Sequence, residues 1–274
     1  MPMKNIQHYK KALTIAGSDS SGGAGIQADL KTFAANGVYG MSAITAITAQ
    51  NTEGVRDIHP IPIKILESQI AAVMDDIGAD AVKIGMLHSS EVIQTVLDAL
   101  KKYQMENVVL DPVMVATSGD KLLRDEAIET LIKDLLPAAS VITPNIPEAE
   151  IILEKKIKTE EDFQNAAREL SQTGAKSVLL KSGHFKGGEL SDIFYITSKD
   201  ELIEMPFKRI ETNNTHGTGC TLSSAVASWL ALGYPLKEAI QKGMEYTHQA
   251  IFEGSAYQIG KGHGPVHHFY KFWS

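Results

Sequence analysis

The sequence predicts an α/β fold in which helices cover both faces of a mostly parallel sheet. Short apolar runs typical of buried strands alternate with amphipathic segments of about 10–15 residues, and this alternation is typical of parallel βαβ units. Glycines and polar residues collect where the apolar runs end, which is where sheets of this class bind ligands. We therefore expect a ligand site along one edge of the sheet.

Four strands and three helices are predicted in the first half of the chain. The first strand ends at Gly17, and the first helix places Ile26, Leu30 and Phe33 on one face before Gly37 ends it. The second strand is rich in isoleucine and threonine, and the third helix has apolar residues spaced by four. In chain order the predicted elements are a strand at 12–17, a helix at 23–36, a strand at 41–49, a helix at 65–74, a strand at 81–84, a helix at 91–103 and a strand at 107–111.

The second half continues the alternation and adds an antiparallel pair. Pro144 stops a short apolar strand, because proline has no N–H to donate to a sheet. Two strand patterns flank Ser198-Lys199-Asp200, so we expect them to pair antiparallel. The predicted elements are a helix at 126–136, a strand at 140–143, a helix at 160–173, strands at 177–181, 193–197 and 202–206, and helices at 221–232 and 236–252.

Composition is that of a globular protein and excludes several classes of partner. The chain has 274 residues, 43% of them hydrophobic, with a formal net charge of -7 and a pI of about 5.7. It has no basic block and no run of roughly 18 apolar residues, so we expect neither nucleic acid nor a membrane as a partner. One cysteine and an N-terminus without a signal-type segment predict a cytoplasmic protein. We find no internal repeat or break in composition, and expect one domain over residues 11–274 after an extension at residues 1–10.

The only cysteine lies in the most informative segment, Asn214-Thr215-His216-Gly217-Thr218-Gly219-Cys220-Thr221. A glycine turn that opens a helix aims free backbone N–H groups at one point, which attracts an anion such as a phosphoryl group. The same field lowers the pKa of a thiol placed there. Cys220 is therefore either a reactive group beside a transferring phosphoryl group or an inert cysteine near a helix start.

Four further polar residues follow predicted strands or open a helix. Asn145 and Glu148 are three apart at a helix start, which suits either a magnesium site acting through water or a capping box. Asp111 ends a buried strand, where an acid holds a metal, a substrate hydroxyl or its own loop. Lys181 ends another strand and either meets a phosphate or extends along the surface. Residue type and spacing leave these alternatives open.

Two glycine-containing segments are less specific. The loop at residues 17–25 follows the first strand, but its glycines are not spaced as in a dinucleotide-binding turn, Gln50 stands where an acid is expected, and no Walker lysine is present. We expect a substrate-side loop, or else a turn that lets helix and strand pack closely. The segment at residues 262–268 contains adjacent His267 and His268, a spacing that suits a metal pair poorly.

A family resemblance rests on motifs that occur in a fixed order. They include Thr143-Pro144-Asn145-Ile146-Pro147-Glu148 and Thr215-His216-Gly217-Thr218-Gly219-Cys220-Thr221. The series lies at residues 12–33, 45–52, 83–87, 111–114, 143–150, 215–221 and 260–269. Together these motifs resemble the hydroxymethylpyrimidine/phosphomethylpyrimidine kinases, a family of the ribokinase-like superfamily that serves thiamine synthesis.

The resemblance implies a fold and a set of site residues. The fold is a ribokinase-like three-layer α/β/α sandwich with a mostly parallel central sheet. Cys220 takes the place of the aspartate base of related sugar kinases, and Gly217, Thr218 and Gly219 form an anion hole for the γ-phosphoryl group. The implied pyrimidine-binding residues are Gly17, Asp29, Gln50, Met86 and Val113, and the implied ATP- and phosphate-binding residues are Asn145, Glu148, Lys181 and Asp111. Glu148 and Asp111 would hold Mg²⁺, in part through water.

The implied reaction is phosphoryl transfer from Mg-ATP to 4-amino-5-hydroxymethyl-2-methylpyrimidine and then to its monophosphate. In the first step Cys220 would accept the hydroxyl proton, so Cys220→Ala should slow that step more than the second. The resemblance further implies a homodimer, and a requirement for a monovalent cation stays open. Ser182 departs from the glycine expected in a Lys-Gly-Gly-His stretch, and we expect it to alter loop geometry and nucleotide affinity.

Two other functions stay open at this point. A pyridoxine kinase of the same superfamily also carries a Gly-x-Gly-Cys turn, although Gln50-Asn51-Thr52 and the C-terminal histidines favour the pyrimidine kinases. A non-catalytic sensor of the pyrimidine would need no phosphate-binding residues, which the set around Cys220 argues against. A mobile turn at Ser118-Gly119-Asp120 would suit a segment that closes over the site.

Overall fold

The computed structural model describes residues 7–114, 123, 125–183, 185 and 188–273. The turn predicted at Ser118-Gly119-Asp120 lies outside these residues. Among the helices described, none combines the length and the apolar character that crossing a membrane requires.

Eight strands form the central sheet, in the order β10-β9-β8-β7-β6-β5-β1-β2. The six strands from β8 to β2 run parallel, and the last two in the chain, β9 and β10, pair antiparallel with their neighbours. Both the mostly parallel sheet and the antiparallel pair are therefore confirmed. The strands are β1 (Lys11–Ala16), β2 (Tyr39–Ile44), β5 (Ala81–Ile84), β6 (Val108–Leu110), β7 (Val141–Ile142), β8 (Ser177–Leu180), β9 (Glu189–Ile196) and β10 (Glu201–Lys208).

Helices pack on both faces of this sheet and create two hydrophobic cores. The larger core joins α2 to α6 with one set of strand side chains, such as Leu13 and Ile84, and the second joins α1, α7 and α8 with the alternate set, such as Ala12 and Val109. This is the three-layer α/β/α arrangement that the sequence predicted. The helices are α1 (Gly25–Ala35), α2 (Ile63–Asp76), α3 (Ser90–Lys102), α4 (Asp125–Thr130), α5 (Ile146–Leu153), α6 (Glu160–Ser171), α7 (Thr218–Ala231) and α8 (Leu236–Gly254).

The strand predicted at 41–49 is in fact two strands in different sheets. After β2 the chain leaves the central sheet at Thr45, whose hydroxyl donates to the carbonyl oxygen of Met86. It continues as β3 (Ala46–Asn51), which pairs antiparallel with β4 (Gly54–Pro60) in a separate two-stranded sheet. The prediction missed β4 and the break, because an unbroken run of isoleucine, alanine and threonine carries no signal for a change of sheet.

Two helices also differ from their predicted bounds. α7 begins at Thr218 and not at 221, so Cys220 lies inside its first turn. The helix predicted at 126–136 changes after α4 into a π-helical turn, Leu131–Leu135, and a 3-10 turn, Leu136–Ala138. Apolar spacing alone does not distinguish these turns from an α-helix, because all three bury one face.

Candidate active site

The carboxyl ends of five neighbouring strands form one edge of the sheet. β1, β5, β6, β7 and β8 are adjacent and parallel, so the residues after them lie side by side. These residues are Gly17, Gly85, Asp111, Thr143 and Lys181. The first turn of α7 lies against the same edge. Its proximity is shown by Gly219, on which a Cβ would come within 3.4 Å of both Lys181 Nζ and Asp111 Oδ2. The edge predicted to bind ligands thus gathers most of the predicted phosphate-binding residues.

Asp19 organises the glycine-rich loop after β1. Its buried carboxylate accepts hydrogen bonds from the N–H groups of Ser21, Gly23 and Ala24 and from the Ser21 hydroxyl. On the other side it pairs with His216 Nε2 at 2.7 Å. Burial alone would raise the pKa of Asp19, but the hydrogen bonds from His216 and Ser21 outweigh it and lower that pKa to about 2. One ionised carboxylate therefore ties this loop to the residue before Gly217.

Only glycine fits at position 217. Gly217 has a φ of 76°, in the left-handed region, and a Cβ built on it would lie 1.8 Å from the carbonyl oxygen of Gly23. The next residue, Thr218, donates from its N–H and its hydroxyl to the carbonyl oxygen of Thr215, at 3.3 and 2.8 Å. The N–H and hydroxyl of Thr218 are thus both engaged within the turn, and its implied role in the anion hole stays a prediction.

Two backbone donors at the start of α7 stay open. Within the described part of the chain, the N–H groups of Gly219 and Cys220 have no hydrogen-bond partner, as is usual in the first turn of a helix. Lys181 and Asp111 lie beside Gly219. Two free N–H groups, the positive end of a helix and a lysine at one place suit an anionic phosphoryl group.

The Cys220 thiol is half-buried and un-ionised at neutral pH. Burial raises the pKa of Cys220 to about 11, and the nearby carboxylates of Asp29 and Asp111 act in the same direction. Lys83 and a hydrogen bond from the Gly25 N–H oppose this shift without reversing it. The prediction that the helix start lowers this pKa is wrong, because removal of water from the thiolate outweighs the helix field.

Asp29 lies beneath the site in a fully buried ion pair. Lys83 Nζ lies 2.9 and 3.0 Å from its two carboxylate oxygens, which also accept hydrogen bonds from the hydroxyls of Thr14 and Ser224. Burial would lower the pKa of Lys83, but the carboxylates of Asp29 and Asp111 attract its charge and raise that pKa above the usual value. Both oxygens of Asp29 are thus engaged within the protein, and Asp29 holds the Lys83 cation close to Cys220. The pyrimidine contact that the resemblance implies for Asp29 stays a prediction.

Lys181 and Asp111 form a second ion pair, at the part of the sheet edge where the predicted phosphate-binding residues lie. We call this part, with Lys181, Asp111 and Glu148, the phosphate side. Lys181 Nζ lies 2.9 Å from Asp111 Oδ1, which also accepts from the Thr143 hydroxyl. Burial lowers the pKa of Lys181, but Asp111 and Glu148 outweigh that effect and raise it. Of the two readings of Lys181, the structure therefore favours the one in which its charge stays at the sheet edge.

Asn145 and Glu148 form a capping box at the start of α5. The Asn145 side chain accepts from the Glu148 N–H, and the Glu148 carboxylate accepts from the Asn145 N–H, both at 2.9 Å. Burial raises the pKa of Glu148 to about 7, with Asp111 adding to the shift and Lys181 opposing it. Asn145 also bridges to Lys181 through the backbone. The capping reading is confirmed, and the same geometry brings this carboxylate to the phosphate side.

Three of the implied pyrimidine-binding residues, Gly17, Met86 and Gln50, lie towards the β1 end of the edge. Gly17 faces Met86, whose Sδ lies 3.3 Å from the place that a Cβ on Gly17 would take. Gln50 stands at a bulge in β3, and its backbone N–H and carbonyl both bond the hydroxyl of Ser20 in the glycine-rich loop. Val113 follows Asp111 in a tight turn. The structure brings the loop, β3 and the end of β5 together, and the binding roles of these residues stay predictions.

Three residues to which the sequence assigned no individual role hold this site together. Lys83 carries the buried charge under Cys220, and Asp19 and His216 join the two glycine turns. Lys83 had a visible signal, since a lysine in the middle of an apolar strand must have a partner. Asp19 and His216 had none, because 197 residues separate them in the sequence.

The C-terminal histidines make hydrogen bonds and ring contacts within the protein. In the described ranges, no three side chains of histidine, cysteine, aspartate or glutamate are grouped as metal ligands. His268 is buried and bonds Thr221, and His267 packs its ring against Tyr257 and Trp273. These contacts are those of packed side chains.

Comparison with known proteins identifies the family. A family model described as phosphomethylpyrimidine kinase matches residues 19–267. A hydroxymethylpyrimidine/phosphomethylpyrimidine kinase of Rhizobium meliloti (strain 1021) is 51% identical over 263 residues, which cover 96% of this chain and 98% of that protein. A protein of Bacillus subtilis (strain 168) with the same name is 44% identical, with 94% of each chain covered.

Solved structures agree with this match. A phosphomethylpyrimidine kinase from Clostridium difficile 630 is 51% identical, with a TM-score of 0.78, and the match covers 88% of this chain and 99% of that one. A pyridoxal kinase of Bacillus subtilis in complex with ADP is 39% identical, with a TM-score of 0.87 and coverage of 95% and 98%. With the family model matched from the glycine-rich loop to the C-terminal histidines, the chain belongs to the phosphomethylpyrimidine kinase family.

Proposed function

We propose that the protein transfers the γ-phosphoryl group of ATP to the hydroxyl of 4-amino-5-hydroxymethyl-2-methylpyrimidine, and a second phosphoryl group to the resulting monophosphate, for thiamine synthesis. One observation carries this proposal. The free N–H groups of Gly219 and Cys220 lie between a phosphate side, with Lys181 and Asp111, and a substrate side next to the glycine-rich loop. Residues 11–274 would act as one kinase domain.

The named relatives support both substrates of the proposed reaction. The proteins that match over nearly the whole chain are named for the pyrimidine and its phosphate. Solved structures of related kinases contain ADP, or AMP-PCP together with pyridoxal. A sensor without catalysis finds no support, because the chain retains a lysine, open N–H groups and two carboxylates at one edge of the sheet.

The chain's own residues explain how the transfer would be catalysed. The γ-phosphoryl group passes through a loose transition state, so positioning and charge neutralisation matter most. The N–H groups of Gly219 and Cys220 would bind its oxygens, and Lys181 would neutralise their charge. The acceptor hydroxyl oxygen forms the new P–O bond, the bond between the β–γ bridging oxygen and phosphorus breaks, and one proton is released from the hydroxyl.

Cys220 would accept that proton in the first step. Because the thiol is neutral at rest, the acceptor is the small thiolate fraction, which the Lys83 cation stabilises when it forms. The second acceptor is a phosphate that already carries negative charge and needs no base. The two steps should therefore depend differently on Cys220 and on pH.

The carboxylates of the phosphate side fit Mg²⁺ that is held through water. Asp111 Oδ1 is occupied by Lys181 and Thr143, whereas Asp111 Oδ2 faces Gly219, and Glu148 stays close to Lys181. Mg²⁺ prefers oxygen ligands and keeps several of its waters, so two partly engaged carboxylates suit it. Bound there with ATP, Mg²⁺ supplies charge neutralisation of the phosphates.

Pyridoxal is the second candidate acceptor. The pyridoxal kinase of Staphylococcus aureus in complex with AMP-PCP and pyridoxal is 35% identical, with a TM-score of 0.87 and coverage of 97% and 96%. A fold shared so closely supports phosphorylation of a vitamin ring of similar size. Gln50, whose backbone bonds Ser20 of the glycine-rich loop, would determine whether the pyrimidine or the pyridoxal ring is preferred.

The test is product analysis with competing acceptors. The purified protein is incubated with Mg-ATP and hydroxymethylpyrimidine, pyridoxine or pyridoxal, and products are resolved by mass. We expect the pyrimidine monophosphate and then the diphosphate, with a higher kcat/KM for the pyrimidine than for either vitamin. Pyridoxal phosphate alone would make the second candidate correct, and ATP-independent binding without any product would leave only the sensor.

A further inference from the structure

The C-terminal segment at residues 264–268, which the proposed reaction leaves without a role, lies against the turn that opens α7. The N–H of His216 donates to the carbonyl oxygen of Gly264 at 3.0 Å, and His216 and Pro265 form an isolated parallel bridge. On the far side of the turn, His216 Nε2 bonds Asp19. The turn is therefore held between the glycine-rich loop and the C-terminal segment.

A hydrogen-bonded relay connects this segment to Gly217. The Thr221 hydroxyl donates to the Gly217 carbonyl oxygen at 2.8 Å and lies 3.1 Å from His268 Nε2. A hydroxyl has one proton, which Thr221 gives to Gly217, so the histidine must be the donor in the second bond. The network thereby assigns the His268 tautomer with its proton on Nε2.

The surroundings of His268 keep it neutral and fixed. Its side chain is 4% exposed, and burial lowers its pKa to about 3, with the charges of Lys31 and His267 acting in the same direction. The Tyr246 hydroxyl donates to its backbone carbonyl oxygen at 2.7 Å. With its backbone held by Tyr246 and its ring neutral and buried, His268 has its Nε2–H in position to donate to Thr221.

The position of the Gly217 carbonyl affects the first turn of α7. Gly217 holds a left-handed conformation at the N-cap of α7, and its carbonyl oxygen also accepts from the Thr221 N–H at 2.8 Å. Two hydrogen bonds to this oxygen restrain the Gly217–Thr218 peptide. Gly219 and Cys220, which follow Thr218 in the first turn, therefore present their free N–H groups in a set direction.

We propose that His268 is a positioning residue for phosphoryl transfer: through Thr221 it fixes the Gly217 carbonyl, and with it the direction of the open N–H groups of Gly219 and Cys220. The inference rests on the proposed function for its kinetic effect, but its structural effect is independent of any acceptor. The influence of the histidine passes through one hydroxyl, that of Thr221.

The test compares His268→Leu, His268→Gln, Thr221→Val and the double variant His268→Leu/Thr221→Val. Thr247→Val is the matched control, since the buried Thr247 hydroxyl donates to the carbonyl oxygen of Gly243 in α8 at 2.8 Å, the same i−4 contact in another helix. Each variant is assayed for kcat and KM of the first step. Amide resonances of Gly219 and Cys220 are recorded by ¹H–¹⁵N NMR without ligands.

We expect His268→Leu and Thr221→Val each to lower kcat about tenfold with little change in either KM, because positioning of transition-state donors is lost while ground-state contacts remain. The double variant should be no slower than the single ones, since all of them break one relay. His268→Gln keeps an N–H donor and should recover most of the rate. The Gly219 and Cys220 resonances should shift in the slow variants and not in Thr247→Val.

Three results would overturn the proposal: His268→Leu with wild-type kcat and resonances, fully additive losses in the double variant, or an equal loss in Thr247→Val. If His268→Leu does not fold, Thr221→Val and His268→Gln decide the matter by the same criteria. A wild-type protein that phosphorylates no pyrimidine would contradict the proposed function only, because the amide resonances still report whether His268 sets the turn.

Discussion

The raised pKa of Cys220 predicts how fast its thiol is alkylated. With a pKa of about 11, the thiolate fraction at pH 7.5 is about 0.0003, against about 0.1 for an unperturbed thiol with a pKa near 8.5. A more basic thiolate is also more nucleophilic, which recovers about tenfold of this roughly 300-fold difference. Alkylation of the folded protein at this pH should therefore be about 30-fold slower than alkylation of the unfolded chain.

The assay is the rate of iodoacetamide labelling from about pH 7 to 10, followed by mass. Cys220 is the only cysteine, so the same protein unfolded in guanidinium is a control with an identical thiol. We expect the folded rate to rise about tenfold per pH unit without a plateau, and the unfolded rate to level off near pH 9. A folded-state midpoint at or below pH 8.5 would refute the reasoning, because limited access slows labelling but does not move the midpoint.

Three further predictions concern the turn, the buried histidine and the departure from the family at Ser182. Gly217→Ala should lower kcat more than tenfold, because its Cβ meets a backbone carbonyl at 1.8 Å, whereas Gly233→Ala, with a φ of 91° and open space around it, should lose only about 1–2 kcal/mol of stability and no activity. Burial lowers the pKa of His268 from 6.5 to about 3, so as the pH falls the unfolded chain binds a proton at this histidine before the folded protein does. The contribution of neutral His268 to the free energy of unfolding is therefore complete above pH 6.5 and is lost towards pH 3. In urea titrations the wild type should lose about 2 kcal/mol relative to His268→Gln between pH 7.5 and 5. Ser182→Gly removes the hydroxyl that bonds buried Asp192 at 3.0 Å but keeps the N–H that bonds it at 2.7 Å, so it should cost about 1 kcal/mol of unfolding free energy in the same titrations. Because this hydroxyl is engaged by Asp192, KM for ATP should stay within about threefold, and a larger change would support the expectation that Ser182 alters nucleotide affinity.

More of the fold than of the site's chemistry could be predicted from the sequence. Alternating apolar periods predicted the three layers, because burial of a strand on both faces demands them, and strand-end residues such as Asp111 and Lys181 were correctly placed at one edge. Local patterns also contained the capping box of Asn145 and Glu148. Contacts within a few residues along the chain, and the parallel course of strands that are separated by helices, are what such patterns encode.

Properties that depend on distant residues escaped prediction. The raised pKa of Cys220 results from burial and from the carboxylates of Asp29 and Asp111, which come from distant parts of the chain, whereas the sequence shows only the helix start that acts in the opposite direction. Asp29 matched a family position, yet its partners Lys83 and Ser224 come from β5 and α7 and occupy its oxygens. No spacing rule could show that a lysine 54 residues away would occupy this carboxylate.

We propose that one site performs both phosphorylations and uses Cys220 as a base only in the first. A single time course tests it most directly: wild type and Cys220→Ala are each given Mg-ATP with hydroxymethylpyrimidine, and separately with its monophosphate, and both products are quantified by mass. We expect the wild type to complete both steps and Cys220→Ala to slow the first by about a hundredfold or more while the second stays within about threefold. Equal losses in the two steps would contradict the base role of Cys220, and no phosphorylated product from the wild type would contradict the account as a whole.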